Sequence, residues 1–182
     1  MAMACSVSPL CGAARKPPRN GIGIGICSSR AARLRARAAF PLPAEFGFVA
    51  LTAASSAVLT QWQAVQVGIQ RRKVGLKYPQ MYEDAEKSVF NCYQRAHQNT
   101  LESYPAFLAL LLVSGLGYPI TASVFGMVWV IGRVVYSLGY YTGDPNNRFR
   151  GIWNAFGLLG LLVTSIVFGS SQVAAIFFPR VS

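Results

Sequence analysis

A polar cluster opens a membrane-length apolar run, and few folds tolerate that arrangement. Residues 90–102 read FNCYQRAHQNTLE and lead without a break into the apolar run 104–115. Ionisable groups inside a bilayer cost roughly 2.5–3.5 kcal/mol each on insertion scales, so they face a bundle interior or a ligand rather than lipid. At about 100° per residue, Arg95, Gln98, Asn99 and Glu102 fall on one helical face about 100° wide. That face offers a guanidinium, two amides and a carboxylate. The set suits a zwitterionic, peptide-like ligand carrying carboxylates and an amino group. His97 points away from it.

Hydrophobic residues make up 53% of the 182-residue chain and charged residues 13%. That balance belongs to a membrane protein, and the length suits one folded domain. Charge is unevenly spread. Residues 1–44 hold seven Lys/Arg and no acid, whereas the remainder carries ten basic and six acidic residues. The basicity is therefore mostly a property of the leader. The basic residues are not interleaved with aromatics on a soluble face, which argues against nucleic acid as a partner. Three of the four cysteines (Cys5, Cys11, Cys27) also lie in the leader. Cys92 alone remains beyond it, and no metal-ligand spacing occurs.

Residues 1–44 form a basic, transit-like N-terminal extension. They are Arg-rich, Ser-containing and acid-free, and RAARLRARAAF at 30–40 suits an Arg-striped helix. This composition predicts an organelle transit peptide, and the lack of a continuous apolar core argues against a secretory signal. The uncharged, Ala/Ser-rich start favours chloroplast over mitochondrion. GIGIGI at 21–26 lacks the strand and helix that would make it a nucleotide loop. The membrane domain is expected over 45–182, in the chloroplast envelope or mitochondrion, or in the endoplasmic reticulum membrane if the leader is no transit peptide.

Four helices are expected there, at about 47–70, 84–115, 120–141 and 152–178. The fold class is an all-α membrane protein, a four-transmembrane-helix bundle in a lipid bilayer. Gln61, Gln63 and Gln66 interrupt the first span, and Gln63 and Gln66 are expected to face other helices. EDAEK at 83–87 is expected to supply acids to the first turn of the second helix, and Pro105 to bend that helix. Arg133, Tyr136 and Tyr140 share one face of the third. Gly143, Asp144, Pro145 and Asn146 signal a turn. Gly157 and Gly160 offer close-packing positions on the fourth helix. Basic residues flank the first and third connections and are absent from the second, so both polar clusters lie toward the same membrane face.

No nucleophilic Ser/His/Asp set, metal set or phosphate loop accompanies these clusters. A site of Arg, Tyr, Asn, Gln and Glu acts by orienting a ligand and stabilising negative charge. Its natural use is to activate a thiol carried by the substrate. A free thiol titrates near about 8.5, and a neighbouring guanidinium lowers that value.

The motif FNCYQRAHQNTLE, followed by RVVYSLGYYTGDPNNR at 133–148, resembles the membrane-associated eicosanoid and glutathione metabolism (MAPEG) family over about residues 46–170. The likeness is nearest to the type 3 microsomal glutathione transferase branch. It implies a homotrimer of four-helix subunits, with glutathione as co-substrate between helices of adjacent subunits and no metal. Arg95, Asn99 and Glu102 match glutathione-binding residues of the second helix, with Gln98 on the same face. Arg133, Tyr136 and Tyr140 match those of the third. Arg71 and Arg72 match a basic pair ending the first. Arg148 best matches the arginine that stabilises the thiolate. Arg150 is second, because the turn is slightly longer than in leukotriene-forming members. His97 stands where those members carry Gln. The implied activity is conjugation of glutathione to lipophilic electrophiles, or reduction of lipid hydroperoxides. The alternative is a non-catalytic lipid-binding or scaffolding trimer of the lipoxygenase-activating type. Joint presence of Arg95, Tyr136 and Arg148 favours the enzyme.

Overall fold

The computed structural model describes residues 42–84 and 88–178. All regular structure among them is helical: α1 Phe46–Lys73, α2 Val89–Gly117, α3 Pro119–Tyr141, a 3₁₀ helix Pro145–Gly151, and α4 Asn154–Phe177. The basic extension read over 1–44 lies outside the described residues, its last three positions excepted.

Local chemistry sets the helix ends. α1 stops where Gly75 takes φ +69°, a left-handed conformation that glycine adopts without a Cβ penalty. The Gly75 and Leu76 N–H groups then return to the Arg72 and Arg71 carbonyls at 3.3 and 3.2 Å. Tyr118 alone separates α2 from α3, and Pro119 opens α3, where its missing N–H costs nothing. Gly143 (φ +83°) ends the turn after α3.

Two expectations need correction. α2 begins at Val89, not near Asp84, and no acid occupies its first turn. Ser88 caps it instead: its Oγ accepts from the Asn91 N–H at 3.1 Å and donates to Glu83 Oε2 at 2.6 Å. A hydroxyl satisfies the helix end, so the nearby acid serves the cap from outside. The last helix begins at Asn154 rather than Ile152, because residues 145–151 wind as a separate 3₁₀ helix. α2 passes through Pro105 as one helix, where the ring removes the bond to the carbonyl four residues earlier.

Helices α2, α3 and α4 are each long and apolar enough to cross a bilayer, and the chain is an integral membrane protein. α1 is more polar on average, for a visible reason. Its Thr52, Ser56, Thr60 and Gln63 are buried, while Phe48, Leu51, Val58 and Val65 are exposed. Thr52, Ser56, Thr60 and Gln63 thus share the inward face of α1 with Val49 and Leu59, while Phe48, Leu51, Val58 and Val65 cover its outer face.

The apolar core gathers Val49 and Leu59 of α1, Phe107 and Leu111 of α2, Trp129 of α3 and Leu161 of α4. Phe107 and Trp129 stack with centroids 3.9 Å apart. Within this interior, the fully buried Gln63 joins three helices. Its Nε2 donates to Thr100 Oγ1 of α2 at 3.0 Å and to Ser137 Oγ of α3 at 2.6 Å. Those hydroxyls in turn donate to the Ala96 and Arg133 carbonyls. Gln66 is half-buried. Glycines bring α3 and α4 into backbone contact: a Cβ on Gly132 would lie 2.6 Å from Asn154 Cβ, and one on Gly157 2.6 Å from the Trp129 nitrogen. Gly160 packs against the Phe125 ring.

Gln63→Ala should destabilise the bundle by about 2–3 kcal/mol, from two lost interhelical bonds and the void left behind. Thermal unfolding in detergent micelles measures this. An unchanged midpoint would show that the three helices do not depend on Gln63.

Candidate functional site

The spacing of Arg133, Tyr136 and Tyr140 lines them along one side of α3. Arg133 is 7% exposed. Its Nη1 donates to Asn99 Oδ1 at 2.6 Å and its Nη2 to Ser103 Oγ at 2.7 Å. The guanidinium lies 5.4 Å from the Trp129 ring centroid and 5.3 Å from that of Tyr136. Neutral oxygens and aromatic faces thus hold this cation, so its charge is steadied but not neutralised by them. Its Nε finds no partner among the described residues. Ser103 escaped the sequence reading, which weighed amides and ionisable groups. Its signal was its place four residues after Asn99, on the same side of α2.

Tyr136 and Tyr140 meet edge to face at 5.2 Å. Arg148 Nη1 then donates to the Tyr140 hydroxyl at 3.1 Å. A continuous row results: Asn99 and Ser103, Arg133, Tyr136, Tyr140, Arg148. The Tyr140 hydroxyl holds the Arg148 guanidinium even further above its ordinary value, so this group stays cationic at any working pH.

Glycines place Arg148. A Cβ on Gly139 would run into the Asn147 carbonyl, and one on Gly151 would lie 2.6 Å from Gly132 O and from Tyr136 Cα. The 3₁₀ helix is therefore seated directly on the α3 backbone at both ends. This seating sets Arg148 beside Tyr140. Arg150 is exposed, and its carbonyl accepts from Trp153 Nε1 at 3.0 Å.

The four residues grouped on α2 divide between neighbours. Asn99 turns to Arg133. Gln98 Oε1 accepts from the Tyr82 hydroxyl at 2.6 Å, and Arg95 stands three residues before Gln98 on the same face of α2. Arg95 and Glu102 are exposed. Tyr82 was not foreseen, since it comes from the irregular α1–α2 connection.

Arg71 and Arg72 part company. Arg71 is buried, and its Nη1 donates to the Gln80 carbonyl at 2.6 Å. Its guanidinium lies 4.6 Å from the Tyr78 ring centroid and 5.0 Å from that of Phe90. Arg72 is exposed and bonds the Gly68 carbonyl of its own helix at 3.4 Å. Among the described residues, neither hydrogen-bonds a member of the Arg133–Arg148 row. A cavity of about 290 Å³ lies beside Arg71 and is also lined by Gly68, Tyr78, Gln94 and His97. A larger apolar groove, about 720 Å³, runs between α1 and α3 past Leu51, Ile120, Val124 and Met127.

A model of the MAPEG family matches residues 49–169. The chain is 32% identical to microsomal glutathione S-transferase 2 of Homo sapiens over 108 residues, covering 59% of this chain and 71% of that protein. It is 30% identical over 115 residues to the Mus musculus protein of the same name, covering 63% and 76%. It is also 35% identical over 95 residues to uncharacterized protein sll1147 of Synechocystis sp., covering 50% and 66%. The named relatives are type 2 proteins, so nearness to the type 3 branch stays an expectation from the motifs.

Gly151→Ala should cost about 1–3 kcal/mol through overpacking, because the colliding atoms are backbone. Gly169→Ala, whose Cβ would meet nothing within 4 Å, should leave unfolding unchanged. Equal effects of the two substitutions would show that the 3₁₀ helix is not seated on α3 as described.

Proposed function

The chain belongs to the MAPEG family, and on that premise we propose that it is a membrane-bound glutathione transferase with glutathione-dependent peroxidase activity. The observation that carries this reading is the cationic row ending in the Arg148–Tyr140 contact at 3.1 Å. Arg95 and the amide of Gln98 suit the carboxylates of glutathione, and the exposed carboxylate of Glu102 suits its amino group. Arg148 stabilises the thiolate, and the thiol proton leaves to water. In conjugation with an aryl halide, the sulfur forms a bond to the electrophilic carbon and the carbon–halogen bond breaks, the halide leaving with its electron pair to water. In peroxide reduction, sulfur attacks a peroxide oxygen and the O–O bond breaks. Two glutathiones then become one disulfide, and the hydroperoxide becomes alcohol plus water. Both reactions start from the same activated sulfur.

In this reading α1 is a fourth span, with its apolar outward face against lipid or a neighbouring subunit, and three copies assemble. Residues 1–44 direct the chain to an organelle membrane.

The first test incubates the purified chain with glutathione and an equal mixture of a lipid hydroperoxide and an aryl electrophile. Mass spectrometry then reports oxidised glutathione and conjugate together. Either product above the protein-free rate supports an enzyme. Neither product from a folded protein would favour the lipid-binding scaffold. Arg148→Ala should lower kcat by roughly 10²-fold, the scale of losing one anion-stabilising donor, with glutathione affinity nearly kept. Undiminished turnover would move the role to Arg150 or Arg72. Arg95→Ala should weaken glutathione binding roughly ten-fold, the scale of one charge-assisted bond. Unaltered affinity would remove the α2 face from the site.

A further inference from the structure

We propose that Tyr82 of the α1–α2 connection is a ligand-contacting residue whose hydroxyl, with Arg95, receives a carboxylate of the bound thiol peptide, and that Arg71 is its positioning residue. This rests on the glutathione reading above.

Tyr82 sits in irregular chain, yet the backbone on each side of it is pinned. Two residues before, the Gln80 carbonyl accepts from the buried Arg71 at 2.6 Å. Arg71 is itself held near the Tyr78 and Phe90 rings. One residue after, Asn91 takes both backbone groups of Glu83: its Oδ1 accepts from the Glu83 N–H and its Nδ2 donates to the Glu83 carbonyl, each at 2.8 Å. The Glu83 carboxylate is engaged in turn by Ser88 Oγ at 2.6 Å. Ordering a surface connection opposes chain entropy at every residue fixed. Here the fixing presents one phenol to the polar face of α2.

The chemistry at that point is unfinished. The Tyr82 hydroxyl spends its one hydrogen on Gln98 Oε1, and Arg95 stands three residues before Gln98 on the same face of α2. A carboxylate arriving at Arg95 is a stronger acceptor than the neutral amide, because charge-assisted bonds are the stronger ones. The hydroxyl turns its hydrogen to that carboxylate, and the Gln98 amide is freed for a second contact. Tyr82 thereby selects for an anionic end group. Arg71 acts on this phenol through the connection, because its Nη1 holds the Gln80 carbonyl two residues before Tyr82.

The test uses the full chain in detergent micelles, with glutathione binding measured by calorimetry and turnover measured beside it. Tyr82→Phe removes only the hydroxyl. It should raise both Kd and KM for glutathione roughly five- to ten-fold, as expected for one bond to a charged group, with a smaller change in kcat and an unchanged unfolding midpoint. Arg71→Met should reproduce the KM shift, and combining the two substitutions should add little to either. Wild-type affinity in Tyr82→Phe, with wild-type protein binding glutathione normally, would overturn the proposal and leave the glutathione reading standing. Full multiplication of the two effects would place Arg71 on the ligand itself and overturn its positioning role. Absence of glutathione binding in the wild-type protein would overturn both readings.

Discussion

Everything in the bundle turns on where a polar group finds a partner without water. Gln63 is fully buried, and its amide nitrogen reaches hydroxyls on two other helices. In a bilayer interior an unpaired polar group costs several kcal/mol; both hydrogens of the Gln63 amide are placed, whereas its Oε1 finds no partner among the described residues. That requirement rotates α1 until Thr52, Ser56, Thr60 and Gln63 face inward. It also sets Thr100 of α2 opposite Ser137 of α3. Asn99 and Ser103 then flank Thr100, and Arg133 lies one turn before Ser137. The meeting of Arg133 with Asn99 and Ser103 follows from the same rotation, and the Ser137–Arg133 carbonyl bond ties the two networks together.

The second dependence is backbone contact through missing side chains. Gly139 and Gly151 let the 3₁₀ helix rest on α3, and Gly132 and Gly157 let α4 do the same. Contacts between backbones have no rotamers to relax, so they position more firmly than a pair of side chains would. Arg148 benefits directly. It reaches Tyr140 from a segment braced at both ends, not from a free loop. Together with Arg133, it gives one side of α3 two cations linked by two tyrosines, a surface suited to receiving anionic charge.

Much of this was legible. The long apolar runs, a short connection before the third helix and the inward turn of Gln63 follow from hydropathy, turn chemistry and the cost of polar groups in lipid; that this connection is Tyr118 alone came from the structure. The row Arg133, Tyr136, Tyr140 follows from helical spacing alone. Less legible were contacts between segments that periodicity does not relate. Ser103 is chemically modest and draws attention only once Arg133 is beside it. The α2 start was misjudged because acids near a helix start look like first-turn residues, whereas a serine hydroxyl closer to it had already satisfied the N–H. The 3₁₀ helix was hidden because its stability comes from glycine contacts with α3, not from any apolar pattern of its own.

By itself, the sequence determined the all-helical class, the membrane character and the residue types that crowd one end of α2 and α3. These are consequences of local composition and period, which act over a few neighbouring residues. Only the tertiary structure decided which partner each polar group takes. Asn99 goes to Arg133, Gln98 to Tyr82, Arg71 to Gln80 and Arg148 rather than Arg150 to Tyr140. One helical face cannot announce these divisions, because each depends on a donor or acceptor brought in by another segment, and on the distance at which glycine allows that segment to dock.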